Sequence, residues 1–399
     1  MRTRLNLRLR VLRRLALWRT ITVWYHPDFR LPLTGVESSG IEPRRADFAA
    51  WFLLERGGIR PADLRTPLRI GYHDLARVHA PELLESLTTP ESLARIFAVD
   101  PSDVPVDSLL NTVRLACGAT LEAAQESLRS GAPALNLLGG FHHAGPTRAG
   151  GFCAVNDIAV AVATLRAQGF VGQVVILDVD AHPPDGIAEC LASDPHCWIG
   201  SLSGADWGPL PKVDEVLLPK GTTDAAYLDA LEALLARMPE PRLAFVIAGG
   251  DPLAGDRLGN LALSLDGLRR RDLRIAEALE GLPQVWVPGG GYSARSWTAL
   301  AGTGLALARK SRAPIPEGYD PLRARFARVA RAFPADKLSG KEDDFGFTIE
   351  DLEPLKGRRG PMRLLDFYTA EGIEYALFRY GILDHLQRLG FGGFRVELE

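Results

Sequence analysis

The chain has 399 residues, 46% hydrophobic and 24% charged, with a formal net charge of −3. That length suits one large α/β domain with an appendage, and the balanced charge gives no global pull toward nucleic acid or an anionic membrane. No segment approaches the ~20 apolar residues of a membrane span. The four cysteines, Cys117, Cys153, Cys190 and Cys197, show no paired zinc spacing and read as free thiols of a reducing, cytoplasmic setting.

The first nineteen residues, MRTRLNLRLRVLRRLALWR, carry seven arginines and no acid. Arginine breaks every apolar run, so they lack a secretory core. The stretch resembles a transit peptide in composition; the reading taken here is a basic arm, 1–19, leading into a first strand at TITVWYH. Further strands are predicted near 68–73, 133–140, 172–180, 197–202, 243–250 and 284–291, several of them apolar almost throughout, as strands buried on both faces are. Helical spacing occupies 108–129, 156–168, 224–237, 264–280 and 297–310. This alternation predicts a three-layer α/β domain over 20–312, a parallel sheet with helices on both faces. After APIPEGYDP the texture changes: an arginine-rich helical pattern at 322–333, an acidic stretch, then amphipathic helical patterns. Residues 313–399 read as a C-terminal appendage to which the sequence assigns no function.

In parallel sheets, ligands bind beyond the carboxyl ends of the strands, and the polar clusters fall there. GGFHHAGPTRAGGFCAVND follows one strand, VVILDVDAHPPDG ends the next, and AFVIAGGDPLAGDRLG and VPGGGYS end two more. Asp178, Asp180 and His182 sit at i, i+2, i+4, one face of an extended chain. Carboxylate and imidazole together are a zinc donor set, with Asp251 as the third ligand and a position left open for chemistry. A strand-end Asp/His pair that only caps a helix is the plain alternative. A hydrolytic site also needs a proton carrier, and His142 and His143 in their glycine-flanked turn are the candidates, each ring oriented by a carboxylate, Asp178 or Asp185. Tyr292 offers a phenol to a developing oxyanion. Each of these residues has a bland explanation alone; their convergence at matching strand ends is the argument.

In this order the motifs resemble the zinc-dependent histone deacetylase superfamily, which has the arginase/deacetylase fold. The resemblance covers roughly residues 20–310 and is nearest to the class IV branch and its bacterial relatives; VHAPELLESL at 78–87 is similar to the family's N-terminal signature. It implies one catalytic Zn2+ on Asp180, His182 and Asp251, His142 and His143 as the acid/base and electrostatic pair, and Tyr292 as the carbonyl-polarising group. It also implies a structural K+ near Asp178, with Ser201, Leu202 and carbonyls about Asp180 and His182. Gly151, Phe152, Trp207 and Leu258 are implied as substrate contacts, Phe152 and Trp207 as opposite walls of an acyl-lysine tunnel. The substrate implied is an acylated lysine in protein or a small acylated amine such as an acetylated polyamine, for which Asp100, Asp103 and Asp107 would offer an acidic rim. Oligomeric state is left open.

One departure stands out. Where the family carries His-Gly-Asn or His-Gly-Asp, this chain has His182-Pro183-Pro184-Asp185, which removes two N–H donors and stiffens the loop. An inactive, deacetylase-like binding module is a second reading. A two-metal ureohydrolase is a third, but Asp185 is out of register for it and Gly249-Gly250-Asp251 stands where its carboxylate cluster belongs.

Overall fold

The computed structural model describes residues 21–308 except 57, together with 315, 316, 318, 319 and 321. A division of the chain falls between Pro314 and Ile315, and the fold and the site lie in the first unit. The arm at 1–19 and the helical and acidic patterns after 321 lie outside the described residues.

The elements run in chain order as β1 (Thr22–Trp24), α1 (Arg45–Glu55), β2 (Leu64–Arg65), α2 (Tyr72–Leu75), α3 (Pro81–Ser86), α4 (Pro90–Phe97), α5 (Val106–Ser130), β3 (Pro133–Asn136), α6 (Asp157–Ala167), β4 (Val174–Asp178), α7 (Asp185–Cys190), β5 (Cys197–Ser203), β6 (Val213–Leu217), α8 (Asp224–Leu235), β7 (Leu243–Ile247), α9 (Leu265–Ala278), β8 (Gln284–Val287) and α10 (Ser296–Leu307). The strands form one eight-stranded sheet in the order β2-β1-β3-β8-β7-β4-β5-β6, with every pairing parallel. Every residue of β3, β4, β7 and β8 is buried, because helices cover both faces. On one side α5 packs on α6 and along β1, β3 and β8; elsewhere α1, α10, α9 and α8 pack in series, and α8 lies on β5 and β6. This is the three-layer α/β architecture.

Helix ends follow local chemistry. The Asn156 side chain caps α6 by accepting from the Ala159 amide at 3.0 Å, and Ser264 caps α9 by accepting from Gly267 at 2.9 Å. Gly131 ends α5 with φ 65°, the left-handed conformation usual after a helix.

The strand predicted at 68–73 is not one. The Ile70 amide donates to the Arg114 carbonyl at 3.1 Å and the Leu68 amide to the Glu122 carboxylate at 3.1 Å. The segment is tied to α5 instead of the sheet, Leu68 is 75% exposed, and α2 begins at Tyr72. The apolar residues there read as a strand; their backbone partners lie on a helix. The first-strand position near β1 holds, whereas β2 and β6 correspond to no predicted strand.

Candidate functional site

The loops after β3, β4, β7 and β8 meet above the carboxyl ends of the four central strands. Asp180, His182 and Asp251 each offer a ligand atom, all within 4.8 Å of one another, and they are the one such group among the described residues. Nδ1 of His182 lies 2.9 Å from Asp251 Oδ2 and 3.2 Å from Asp180 Oδ1. The other oxygens are held by backbone: Gly290 donates to Asp180 Oδ2 at 2.6 Å and Ala181 to Asp251 Oδ1 at 3.0 Å. Burial and the neighbouring Asp180 charge raise the Asp251 pKa; burial opposes charge on Asp180 as well, but the His142 and His182 rings hold its carboxyl well below the usual range. Burial disfavours a charged His182, but its two carboxylate partners outweigh that and hold its pKa at about 11. Two fully buried carboxylates side by side favour a shared cation, and two oxygens with one imidazole nitrogen are a donor set that fits Zn2+.

Two histidine–carboxylate pairs stand beside this group. Nδ1 of His142 is 2.8 Å from Asp178 Oδ2, and Nδ1 of His143 is 2.7 Å from Asp185 Oδ1. In each, Nδ1–H donates to the carboxylate, which leaves Nε2 facing the site. The two rings are 4.0 Å apart, centre to centre, yet differ electrically. Burial disfavours charge on His142, but Asp178 and Asp180 outweigh it and hold the pKa at about 9. Burial and the neighbouring His142 press His143 down to about 4.

The turn that carries them is clamped from behind. Asp157, the first residue of α6, accepts from the amides of Gly140 (3.0 Å) and Phe141 (2.8 Å) and from the Thr120 hydroxyl (2.6 Å). The Asn156 side chain donates to the Ala144 carbonyl at 3.0 Å. His79, from the N-terminal signature, accepts the Asn156 amide on Nε2 at 2.9 Å and donates from Nδ1 to the Gly145 carbonyl at 3.0 Å. The motifs contain these residues without announcing a role for them. Their signal is positional: Asn-Asp at the start of a helical pattern is a cap.

The GGFC motif forms a tight hairpin. Gly150 and Cys153 exchange both backbone bonds at 3.1 and 2.9 Å, with φ 56° at Gly151 and 62° at Phe152. Positive φ at both central residues is the signature of a type I′ turn. Glycine is required at 151, because a Cβ would lie 2.4 Å from the His143 ring. Phe152 accepts a left-handed backbone costing roughly 1–2 kcal/mol, and its amide is held by the Ile96 carbonyl at 3.1 Å.

Tyr292 is buried, with its ring 6.2 Å from His182 and 5.4 Å from Phe152. Burial and the adjacent carboxylates hold its phenol well above its usual pKa, so it remains a neutral donor. Trp207 stands on the other side, its ring 5.1 Å from His143 and 6.1 Å from His182, and is 52% exposed. Leu258, 46% exposed, lies in the loop that Asp256 braces: the carboxylate accepts from the amides of Leu258 and Gly259 at 3.0 Å and of Tyr292 at 2.6 Å. Asp100 is committed to capping a turn, accepting from the Ser102 amide and hydroxyl at 2.9 and 2.6 Å. Ser201 Oγ, on β5 opposite Asp178, is buried with no hydrogen-bond partner among the described residues; an orphaned oxygen beside a buried carboxylate fits a monovalent cation.

Arg45 was invisible in the sequence. It reaches from α1 to donate to the carbonyls of Gly289 and Gly290 at 2.9 and 3.0 Å, on the wall of a largely apolar cavity behind Tyr292 that Phe29, Leu31, Phe97 and Leu138 also line. No local pattern announces a partner 245 residues away.

A parallel α/β sheet that brings together three side chains able to share a metal ion, two His–Asp pairs and a buried phenol at its carboxyl edge has the makings of a hydrolytic site. A sequence profile of the histone deacetylase domain matches residues 41–306, and the chain belongs to that family of deacetylase hydrolases. It is 33% identical over 288 residues to an uncharacterised protein of Picosynechococcus, with 68% of this chain and 92% of the relative covered. To histone deacetylase 2 of Arabidopsis thaliana it is 30% identical over 313 residues, covering 73% and 79%. The fold is similar to a crystal structure of a histone deacetylase homologue from Aquifex aeolicus (TM-score 0.63, 24% identity, 76% and 87% covered). It is also similar to a homologue crystallised with SAHA (TM-score 0.65, 23% identity, 82% and 92% covered).

Proposed function

We propose that this chain hydrolyses the amide bond of an acylated lysine, or of a related small N-acyl amine, with one zinc ion on Asp180, His182 and Asp251. The observation that carries the reading is the set of three ligand atoms within 4.8 Å of one another, facing two imidazoles whose inner nitrogens are both tied to carboxylates. When bound, zinc polarises the amide carbonyl and makes water acidic enough to attack it near neutral pH.

The protein's own groups supply the rest. Tyr292, neutral at working pH, donates from its phenol to the carbonyl oxygen as negative charge develops there. Asp178 and Asp185 fix the imidazole tautomers, so that each Nε2 faces the reacting centre. His143, held neutral by burial and by the neighbouring ring, accepts a proton at Nε2 from the attacking water and returns it to the leaving amine. His142, drawn toward its charged form by Asp178 and Asp180, contributes positive charge opposite the oxyanion. Phe152 and Trp207 flank the entrance as the walls of the acyl-lysine tunnel, and Leu258 lies on its rim. A potassium ion beside Asp178, Ser201 and Leu202 would neutralise the carboxylate under His142.

The test is an acyl-chain-length and amine-scaffold panel assayed on the zinc-loaded chain, with a hydroxamate inhibitor as control. Release of free amine that the hydroxamate blocks is the expected result. Zinc bound stoichiometrically with no turnover on any member would refute the enzymatic reading in favour of a binding module.

A further inference from the structure

Pro183 and Pro184 separate the ligand His182 from Asp185, and the backbone there makes a three-residue reversal. The Asp185 amide donates to the Pro183 carbonyl at 2.9 Å. Pro184 between them has φ −82° and ψ 55°, close to an inverse γ-turn at about −75° and +65°. A proline ring confines φ to about −65° ± 15°, so Pro184 arrives near the turn's φ before the fold acts on it. A glycine at the same place would leave both dihedrals free.

The first turn of α7 is moulded to the paired imidazoles. Asp185 opens the helix and accepts from His143 Nδ1–H on Oδ1 at 2.7 Å, while Arg148 Nη2 donates to Oδ2 at 2.8 Å. The Ile187 amide donates to the His142 carbonyl at 3.0 Å. Gly186 is pressed against the same backbone: a Cβ there would lie 2.4 Å from the His143 carbonyl carbon and 2.5 Å from the Ala144 oxygen. Residues 183–187 therefore connect a metal-ligand position to the support of the proton carrier through one short turn.

We propose that Pro184 is a positioning residue, which as the centre of this γ-turn sets the Asp185 carboxylate relative to His182 and so holds the His143 ring in its reactive orientation. The two prolines are then a preorganising device and no impairment of the site. Pro184 touches neither substrate nor metal and acts through Asp185. The catalytic consequence rests on the deacylase reading above; the turn and its hold on His143 do not.

The experiment compares Pro184→Gly and Pro184→Ala in the full zinc-loaded chain. In Pro184→Gly, kcat on an acylated-lysine peptide falls about tenfold, as a loosened catalytic group predicts, with KM within about twofold and zinc content unchanged; Pro184→Ala falls less. The second readout is the downfield proton resonance of His143 Nδ1–H, assigned by its loss in Asp185→Ala. It broadens or moves upfield in Pro184→Gly and is better retained in Pro184→Ala. An unchanged resonance in Pro184→Gly overturns the proposal whether or not kcat falls, since any effect would then bypass His143. A parent chain that hydrolyses no acyl-lysine substrate sinks the deacylase reading alone, and the resonance still decides the turn. Should Pro184→Gly not fold, Pro184→Ala carries the test: a partial broadening or upfield movement of the resonance supports the proposal, and a resonance identical to the parent's overturns it.

Discussion

The two adjacent histidines differ because of what surrounds them. Both are buried and both lean on an aspartate, yet His142 also faces Asp180, at 3.7 Å, whereas His143 faces His142. Replacing His143 with alanine is expected to lower turnover of an acyl-lysine substrate at least about 100-fold, and Tyr292→Phe to cost about 100-fold. In both, zinc content measured by metal analysis is expected to stay at one ion per chain, because neither residue is among the three ligands. Loss of zinc along with activity would assign them to structure. At the entrance, Phe152→Ala is expected to raise KM several-fold with a smaller change in kcat, as loss of uniform binding does; steady-state kinetics on a single peptide reads it. How far these residues were legible differs from one to the next. His142, His143, Asp180, His182 and Asp251 stand in short motifs whose spacing carries the chemistry. Asp157, Asn156, Arg45 and Asp256 bond backbone amides or carbonyls of other loops, and a backbone group leaves no mark in a sequence.

Among the elements, the legible ones are those in the interior. The runs LNLL, VVILD, AFVI and QVWV sit between helices on both faces, so their composition is uniform and their period is of no consequence. The edge strand β6, VDEVL, is half-exposed and acidic, and β2 is two residues long; neither carries a strand-like signal. The stretch at 68–73 misleads for a different reason, since its backbone amides at Leu68 and Ile70 bond to α5 while the Leu68 side chain stays exposed. The N-terminal turn of α6 is the element on which the histidine turn depends. Asp157→Asn, which keeps the shape but gives up one acceptor oxygen to buried donors, is expected to destabilise the fold by about 2–3 kcal/mol. Urea unfolding of the variant against the parent measures it, and a change below about 0.5 kcal/mol would contradict the clamp.

For the whole molecule, His79 sets an acid limit to stability. Burial lowers its pKa to about 4, partly offset by its bond to the Gly145 carbonyl, while an unfolded-chain histidine titrates near pH 6.5. Between those values the unfolded state binds a proton that the folded state refuses. The stability is therefore full above about pH 6.5 and declines as the pH falls toward 4, by about 3 kcal/mol at most. Urea midpoints at pH 7 and 4.5 should differ more in the parent than in His79→Gln, whose amide cannot take the proton; an equal acid loss in both would refute the assignment. Metal removal acts on the same scale. With free zinc at about 1,000 times its Kd, a ligand that binds only the folded state adds about 4 kcal/mol, and stripping it with a chelator should lower Tm by about 5–10 °C. A melting curve indifferent to the chelator would mean that Asp180, His182 and Asp251 do not hold the ion.

The strand order places β8, the last strand in sequence, between β3 and β7. Without β8 the half of the sheet that leads to the paired histidines would share no strand pairing with the half that carries Asp180, His182 and Asp251. One four-residue strand thus carries all the sheet continuity between the two halves, and a substitution that loosened β8 would spread the loops at the carboxyl edge apart.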